Sequence, residues 1–137
     1  MKPRLAPTLA SLILAGLTAT GPVLADDALW RDCRTCHAVV APDGSVLARG
    51  GSSAPNLYGI ADRPLASDSG FRFYSDDLRA AAATGARWSA ANFRAYLTNP
   101  DQFLRDLTGN PQAESGMHVE LRRGADEVFE FLRGLSQ

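Results

Sequence analysis

The sequence predicts an all-α protein of one small domain, and three observations carry that prediction. Apolar residues recur at helical spacing in the C-terminal half, in Phe93, Tyr96 and Leu97 and again in Val128, Phe131, Leu132 and Leu135. Caps and breakers stand where those stripes begin or end: Ser75, Ser89, Asn99-Pro100 and Gly124. No stretch shows strand alternation, an internal repeat or a low-complexity tract.

In chain order, Met1-Lys2-Pro3-Arg4 is a short basic region, and Leu5 to Leu17 is mostly apolar but too short to span a membrane. Gly21 and Pro22 break it, and Val23-Leu24-Ala25 satisfies the small-x-small cleavage rule. Residues 1–25 therefore read as a secretory signal cut before Asp26, with an uncleaved anchor as the alternative. Removing 25 of the 137 residues leaves 112, one domain spanning 26–137. Lys2 and Arg4 leave with the signal, so 12 Arg face 15 acidic residues and the net charge is −3. Residues 26–137 contain no Lys. That balance gives no support to nucleic-acid binding, which needs a basic face. No later apolar run is long enough to cross a bilayer, so the mature chain is expected to be soluble.

A first helix is expected over Asp26 to Cys36, with acidic residues at its positive end and Leu29, Trp30 and Cys33 on neighbouring turns. Val39 to Ser53 is rich in Gly and Ser, carries Pro42 and reads as a loop. Tyr58 to Gly70 reads as irregular. Ser75 caps an Ala-rich helix over Leu78 to Thr84 that Gly85 stops. Ser89 caps the next, and Asn99-Pro100 ends it and starts a short helix through Phe103 and Leu104. Leu107 to Gly116 reads as a loop. Gly124 precedes the last helix, with Asp126 and Glu127 at its positive end.

The chemistry sits in Cys33-Arg34-Thr35-Cys36-His37. Thiols one helical turn apart reach one flat object, and the imidazole that follows lies against its centre. C-x-x-C-H is the attachment pattern of c-type haem: two thioethers and one axial nitrogen on iron. Zinc would need four ligands and would consume Cys33, Cys36, His37 and His118 together. A Cys33–Cys36 disulfide would close a very short loop and stabilise little. A thioredoxin-type pair lacks its βαβ surroundings. For the sixth iron position Met117 is favoured, because it lies in a polar loop rather than on an apolar helical face. His118 is the competitor, and an open, gas-binding position is the third reading. Pro55, with fixed φ and no N–H, suits presenting a carbonyl in a set direction; the bland reading is a turn proline.

From Leu29 to Leu135 the chain resembles the class I c-type cytochromes, of the bacterial cytochrome c2 and mitochondrial type. The anchors are Cys33 to His37, Ala54-Pro55-Asn56-Leu57-Tyr58-Gly59 and Gly70-Phe71-Arg72-Phe73-Tyr74-Ser75-Asp76. Trp88, Tyr96-Leu97-Thr98-Asn99-Pro100, Gly116-Met117 and Val128-Phe129-Glu130-Phe131-Leu132 follow in order. The resemblance implies a small all-α fold wrapped around one covalent haem c. It implies Cys33 and Cys36 as the thioether residues and His37 and Met117 as iron ligands. Pro55 would fix His37 through its carbonyl. Tyr74 and Trp88 would hydrogen-bond a propionate, with Arg63 beside it. Leu57, Tyr96, Leu97 and Leu132 would line the pocket, Tyr96 near the Met117 sulfur. Phe131 would cross the first helix near Leu29.

The chain departs from the family in two long loops, His37 to Pro55 and Pro100 to Met117. Ser115 stands where the family has a propionate-binding Thr. The family's lysine docking ring has no counterpart; Arg31, Arg34, Arg122 and Arg123 are partial substitutes. The expected function is one-electron transfer in the periplasm, without bond chemistry. Its partners would be redox protein donors and acceptors, including membrane-bound respiratory or photosynthetic complexes. The alternatives are a haem subunit of a periplasmic dehydrogenase and a gas-binding haem protein.

Overall fold

The computed structural model describes residues 26–137; the secretory-signal reading of residues 1–25 lies outside the described residues. The order is α1 (Asp26–Trp30), β1 (Val39–Val40), β2 (Val46–Ala48), α2 (Asp76–Ala83), α3 (Ala90–Thr98), α4 (Pro100–Thr108) and α5 (Ala125–Gly134). The last helix packs on α1 and α3, and α4 packs on α2 and α3. Among the described residues no helix is long and apolar enough to cross a membrane.

The caps act as their residue types require. The side chains of Ser75, Ser89 and Asn99 accept from the N–H of Leu78, Asn92 and Gln102, each satisfying one orphan donor. Asn99 closes α3 and opens α4 at once. Helix α4 runs on to Thr108, past the Leu107 at which a loop was expected, because Gly109 supplies the left-handed stop (φ 72°). On α5 the buried face is Val128, Phe129 and Leu132, while Phe131 and Leu135 are only half-buried. Phe129 was missing from the expected stripe; its ring meets Phe93 on α3 at 5.3 Å.

Regular α-helix stops at Trp30 rather than Cys36. Residues 31–37 continue as turns, with Arg34 N–H on Trp30 and His37 N–H on Cys33. A second segment takes carbonyls of this turn: Gly51 N–H donates to Arg34 and Ala54 N–H to Cys36. The stretch expected as a loop contains a two-stranded antiparallel hairpin, with Val39 opposite Ala48 and Val40 opposite Val46. Its turn carries Asp43-Gly44, with Gly44 at φ 87° and the Asp43 carboxylate accepting from Ser45 N–H.

The root of that hairpin is locked to the C-x-x-C-H turn. A Cβ on Gly50 would lie 1.7 Å from the His37 carbonyl oxygen and 2.8 Å from that of Arg34; one on Gly51 would lie 2.4 Å from that of Thr35. All three atoms are backbone, so no side chain can swing aside. Gly50→Ala is therefore expected to cost at least about 1–3 kcal/mol as an overpacked site. A denaturant melt of the variant superposing on that of the native protein would show that the segment yields.

Candidate functional site

The helices and loops enclose a cleft of about 480 Å³, within the range of roughly 300–1,000 Å³ usual for cofactor and small-molecule sites. Cys33, Cys36, His37, Pro55, Leu57, Arg63, Tyr74, Trp88, Tyr96, Leu97, Met117 and Leu132 all line it, so the ligand and pocket residues expected from the sequence meet there, and the competing His118 lines it too. Ile60, Leu78, Phe93 and Val128 complete much of its apolar wall.

Both cysteines are free; Cys36 is exposed and Cys33 half-buried. Burial, with the neighbouring Asp32 carboxylate, pushes the Cys33 thiol up to about 11. A redox-active C-x-x-C pair needs the opposite, a depressed thiol. Among the described residues no three His, Cys, Asp or Glu side chains converge on a common metal position, so the zinc alternative has no assembled donor set.

Pro55 is held by backbone bonds on either side of it to the segment that begins at Cys36. Ala54 N–H donates to Cys36 and Leu57 N–H to Ala38. The Asn56 amide reads Val40 like an extra strand: Oδ1 accepts from Val40 N–H at 3.0 Å and Nδ2 donates to the Val40 carbonyl at 2.8 Å. The Pro55 carbonyl then lies 2.7 Å from His37 Nδ1. A carbonyl only accepts, so Nδ1 carries the hydrogen. Burial lowers the His37 pKa, and the bond to Pro55 opposes it in part. The neutral ring keeps its lone pair on Nε2, the form in which imidazole ligates a metal. Sequence reading did not single out Asn56's part in this, because a side chain imitating a strand leaves no periodic signal.

The far wall holds the cationic and aromatic groups. Segment 62–65, read as irregular, pairs with 86–88: Asp62 N–H donates to Trp88, Trp88 N–H to Arg63 and Leu65 N–H to Ala86. This sets Arg63 beside Trp88. Arg63 donates to the carbonyls of Tyr58 (2.8 Å) and Asn56 (3.2 Å), while its buried Nε has no partner among the described residues. A buried, unpaired N–H on a cation is costly, and a carboxylate would satisfy it. Tyr74 Oη accepts from Asp68 N–H at 3.1 Å, which leaves its own proton to donate. Burial raises the Tyr74 pKa, opposed in part by the bond from Asp68 N–H, so it stays a donor. Trp88 stacks on Phe103 at 6.2 Å and meets Tyr96 edge-on at 5.0 Å.

Met117 is half-buried on the loop between α4 and α5 and packs against the core; His118 beside it is exposed. Tyr96 Oη and Ser115 Oγ are 2.6 Å apart, and the same Ser115 oxygen accepts from Met117 N–H at 3.0 Å. Ser115 is buried and outside the cleft lining, so its hydroxyl serves the Met117 turn rather than the propionate role considered for it. The Phe131 ring meets Trp30, at 6.1 Å, one residue beyond the expected Leu29. Arg31, Arg34, Arg122 and Arg123 are all exposed, and none lines the cleft. Phe73, at its rim, is 85% exposed.

The residues fit a haem. Two thiols and a neutral imidazole stand on one turn, apolar side chains line a cleft, and Arg63 Nε and the Tyr74 hydroxyl are unspent donors suited to carboxylates. Fold and site together define a covalent-haem protein. No protein-family profile matches the chain. It is 32% identical over 127 residues to cytochrome c2 of Rhodobacter capsulatus, covering 93% of this chain and 92% of that protein. It is 37% identical over 122 residues to cytochrome c-551 of Roseobacter denitrificans, covering 89% and 86%. Ferric cytochrome c-550 of Paracoccus versutus superposes with a TM-score of 0.76 at 34% identity, covering 81% of this chain and 94% of that one. Cytochrome c2 of R. capsulatus gives 0.78 at 29% identity, covering 85% and 100%. The chain belongs to the class I c-type cytochromes; it binds one covalent c-type haem and is an electron-transfer protein.

Proposed function

We propose that residues 26–137 form a soluble periplasmic one-electron carrier, with His37 and Met117 as the two axial ligands and Cys33 and Cys36 as the thioether residues. The observation that carries this reading is the His37–Pro55 bond inside a cleft that Met117 also lines. The haem supplies the redox centre, an iron that changes oxidation state by one electron. Pro55 holds the imidazole ring in one tautomer and strengthens its donation. The apolar wall of Leu57, Leu97 and Leu132 keeps water away, which stabilises the state of lower charge. Arg63 and Tyr74 would donate to the propionates, with Trp88 beside them. A Met thioether opposite an imidazole favours the reduced state relative to two imidazoles.

The partners are redox proteins, reached by transient docking, and membrane-bound respiratory or photosynthetic complexes are among the candidates. An arginine-only surface with net charge −3 steers weakly over long range. The reading is tested on protein released from the periplasm. It should run on size exclusion as a single chain, and its reduced form should not bind carbon monoxide. Co-elution with a dehydrogenase would point to a permanent subunit, and rapid carbon monoxide binding to an open or labile sixth position.

A further inference from the structure

The loop that carries Met117 has no strand or helix of its own, and just before the ligand its backbone donors at Glu114 and Ser115 are met by side chains. Asp77, in the first turn of α2, accepts from Glu114 N–H through Oδ2 at 3.0 Å and from Asn110 Nδ2 through Oδ1 at 3.3 Å. Asp101, in the first turn of α4, accepts from Ser115 N–H at 2.7 Å. One turn further along α4, Arg105 Nε donates to the Ala113 carbonyl at 3.1 Å, and its Nη2 lies 3.9 Å from Asp101 Oδ2. Met117 N–H closes on Ser115 Oγ. Among the described residues no backbone–backbone bond engages the N–H of Glu114, Ser115 or Met117. Neither Asp77 nor Asp101 lines the cleft.

We propose that Asp77 and Asp101 are positioning residues that hold the Met117 sulfur at the iron, acting from outside the cleft through the backbone of Glu114 and Ser115. The inference rests on Met117 being the sixth ligand. The physical case is one of anchorage. A thioether is a weak donor, so its occupancy depends on how far the loop opens. A backbone N–H on an ionised carboxylate makes a bond roughly twice as strong as a neutral one. Two such bonds, from helices that contact each other, fix consecutive residues two and three positions before the ligand. Between these anchors and the ligand only Gly116 intervenes.

The test follows the far-red sulfur-to-iron band of the oxidised holoprotein as pH is raised. Native protein is compared with Asp77→Ala, Asp101→Ala, Asp101→Asn and the control Asp106→Ala, whose exposed carboxylate accepts from Gln102. Loss of one charge-assisted bond should open the loop about tenfold more often, moving half-loss of the band down by about one pH unit. Amide exchange at Glu114 or Ser115 should quicken by a similar factor. Asp101→Asn, which keeps an acceptor oxygen, should fall between native and Asp101→Ala. The double alanine variant should lose the band earliest. If native protein has the band and both alanine variants keep it as far as Asp106→Ala does, the positioning role is overturned alone. A native protein without the band overturns the Met117 assignment and the positioning role with it.

Discussion

With both Cys33 and Cys36 changed to alanine, the chain should carry no haem through denaturing electrophoresis and should lose its cooperative unfolding transition. The native protein should keep haem peroxidase activity on the same gel. Its mass should equal the chain from Asp26 plus one haem. The expected loss is large because the cleft's apolar walls depend on the haem to cover them. Leu57, Leu97 and Leu132 on its walls would face water, and the unpaired Arg63 Nε would remain buried without an acceptor. Small domains have only about 5–15 kcal/mol to lose. A haem that washes out of native protein with acid and organic solvent would refute covalent attachment. A double variant that still melts sharply would show that the polypeptide folds without the group.

Met117→Ala should abolish the far-red sulfur-to-iron band and admit carbon monoxide to the reduced form. His118→Ala should leave the neutral spectrum almost unchanged, since His118 is exposed and Met117 packs on the core. Removing the thioether should also lower the reduction potential, as loss of a ligand that favours ferrous iron requires. At alkaline pH the usual competitor for such a site is a lysine amine, and residues 26–137 have none. Arginine stays protonated and cannot replace it. The band should therefore outlast that of lysine-bearing relatives on titration, yielding finally to hydroxide or His118. Should His118→Ala remove the sixth ligand while Met117→Ala does not, bis-imidazole ligation takes the place of the thioether.

Local chemistry was legible in the sequence wherever a short-range rule decides the outcome. Ser75, Ser89 and Asn99 cap helices because their side-chain oxygens reach the N–H three residues ahead. The C-x-x-C-H turn was legible for the same reason, since its geometry is set within five residues. The hairpin over 39–48 escaped because two- and three-residue strands are too short to alternate; only Asp43-Gly44 marked the turn. The bonds that Gly51 and Ala54 make to the turn after the first helix are reported by no local pattern. The side-chain anchors are more remote still: Asp77 reaches Glu114 across 37 positions, and Arg63 owes its place to pairing with 86–88. Asp77 reads from sequence as a helix-start carboxylate, which it also is; its second duty exists only in three dimensions.

The hairpin has a practical side. Its root cannot move, because Gly50 and Gly51 touch the backbone of the haem-attachment turn. Val46, on the second strand, is 54% exposed and outside the cleft lining. Residues 26–137 contain no lysine, so Val46→Lys would give them a single side-chain amine. Amine-directed coupling at mildly alkaline pH could then reach, besides the chain's own terminus, one chosen spot. A dye or an electrode surface bonded there would sit on a rigid stalk, giving every molecule in a film the same orientation and the same tunnelling path to the redox centre.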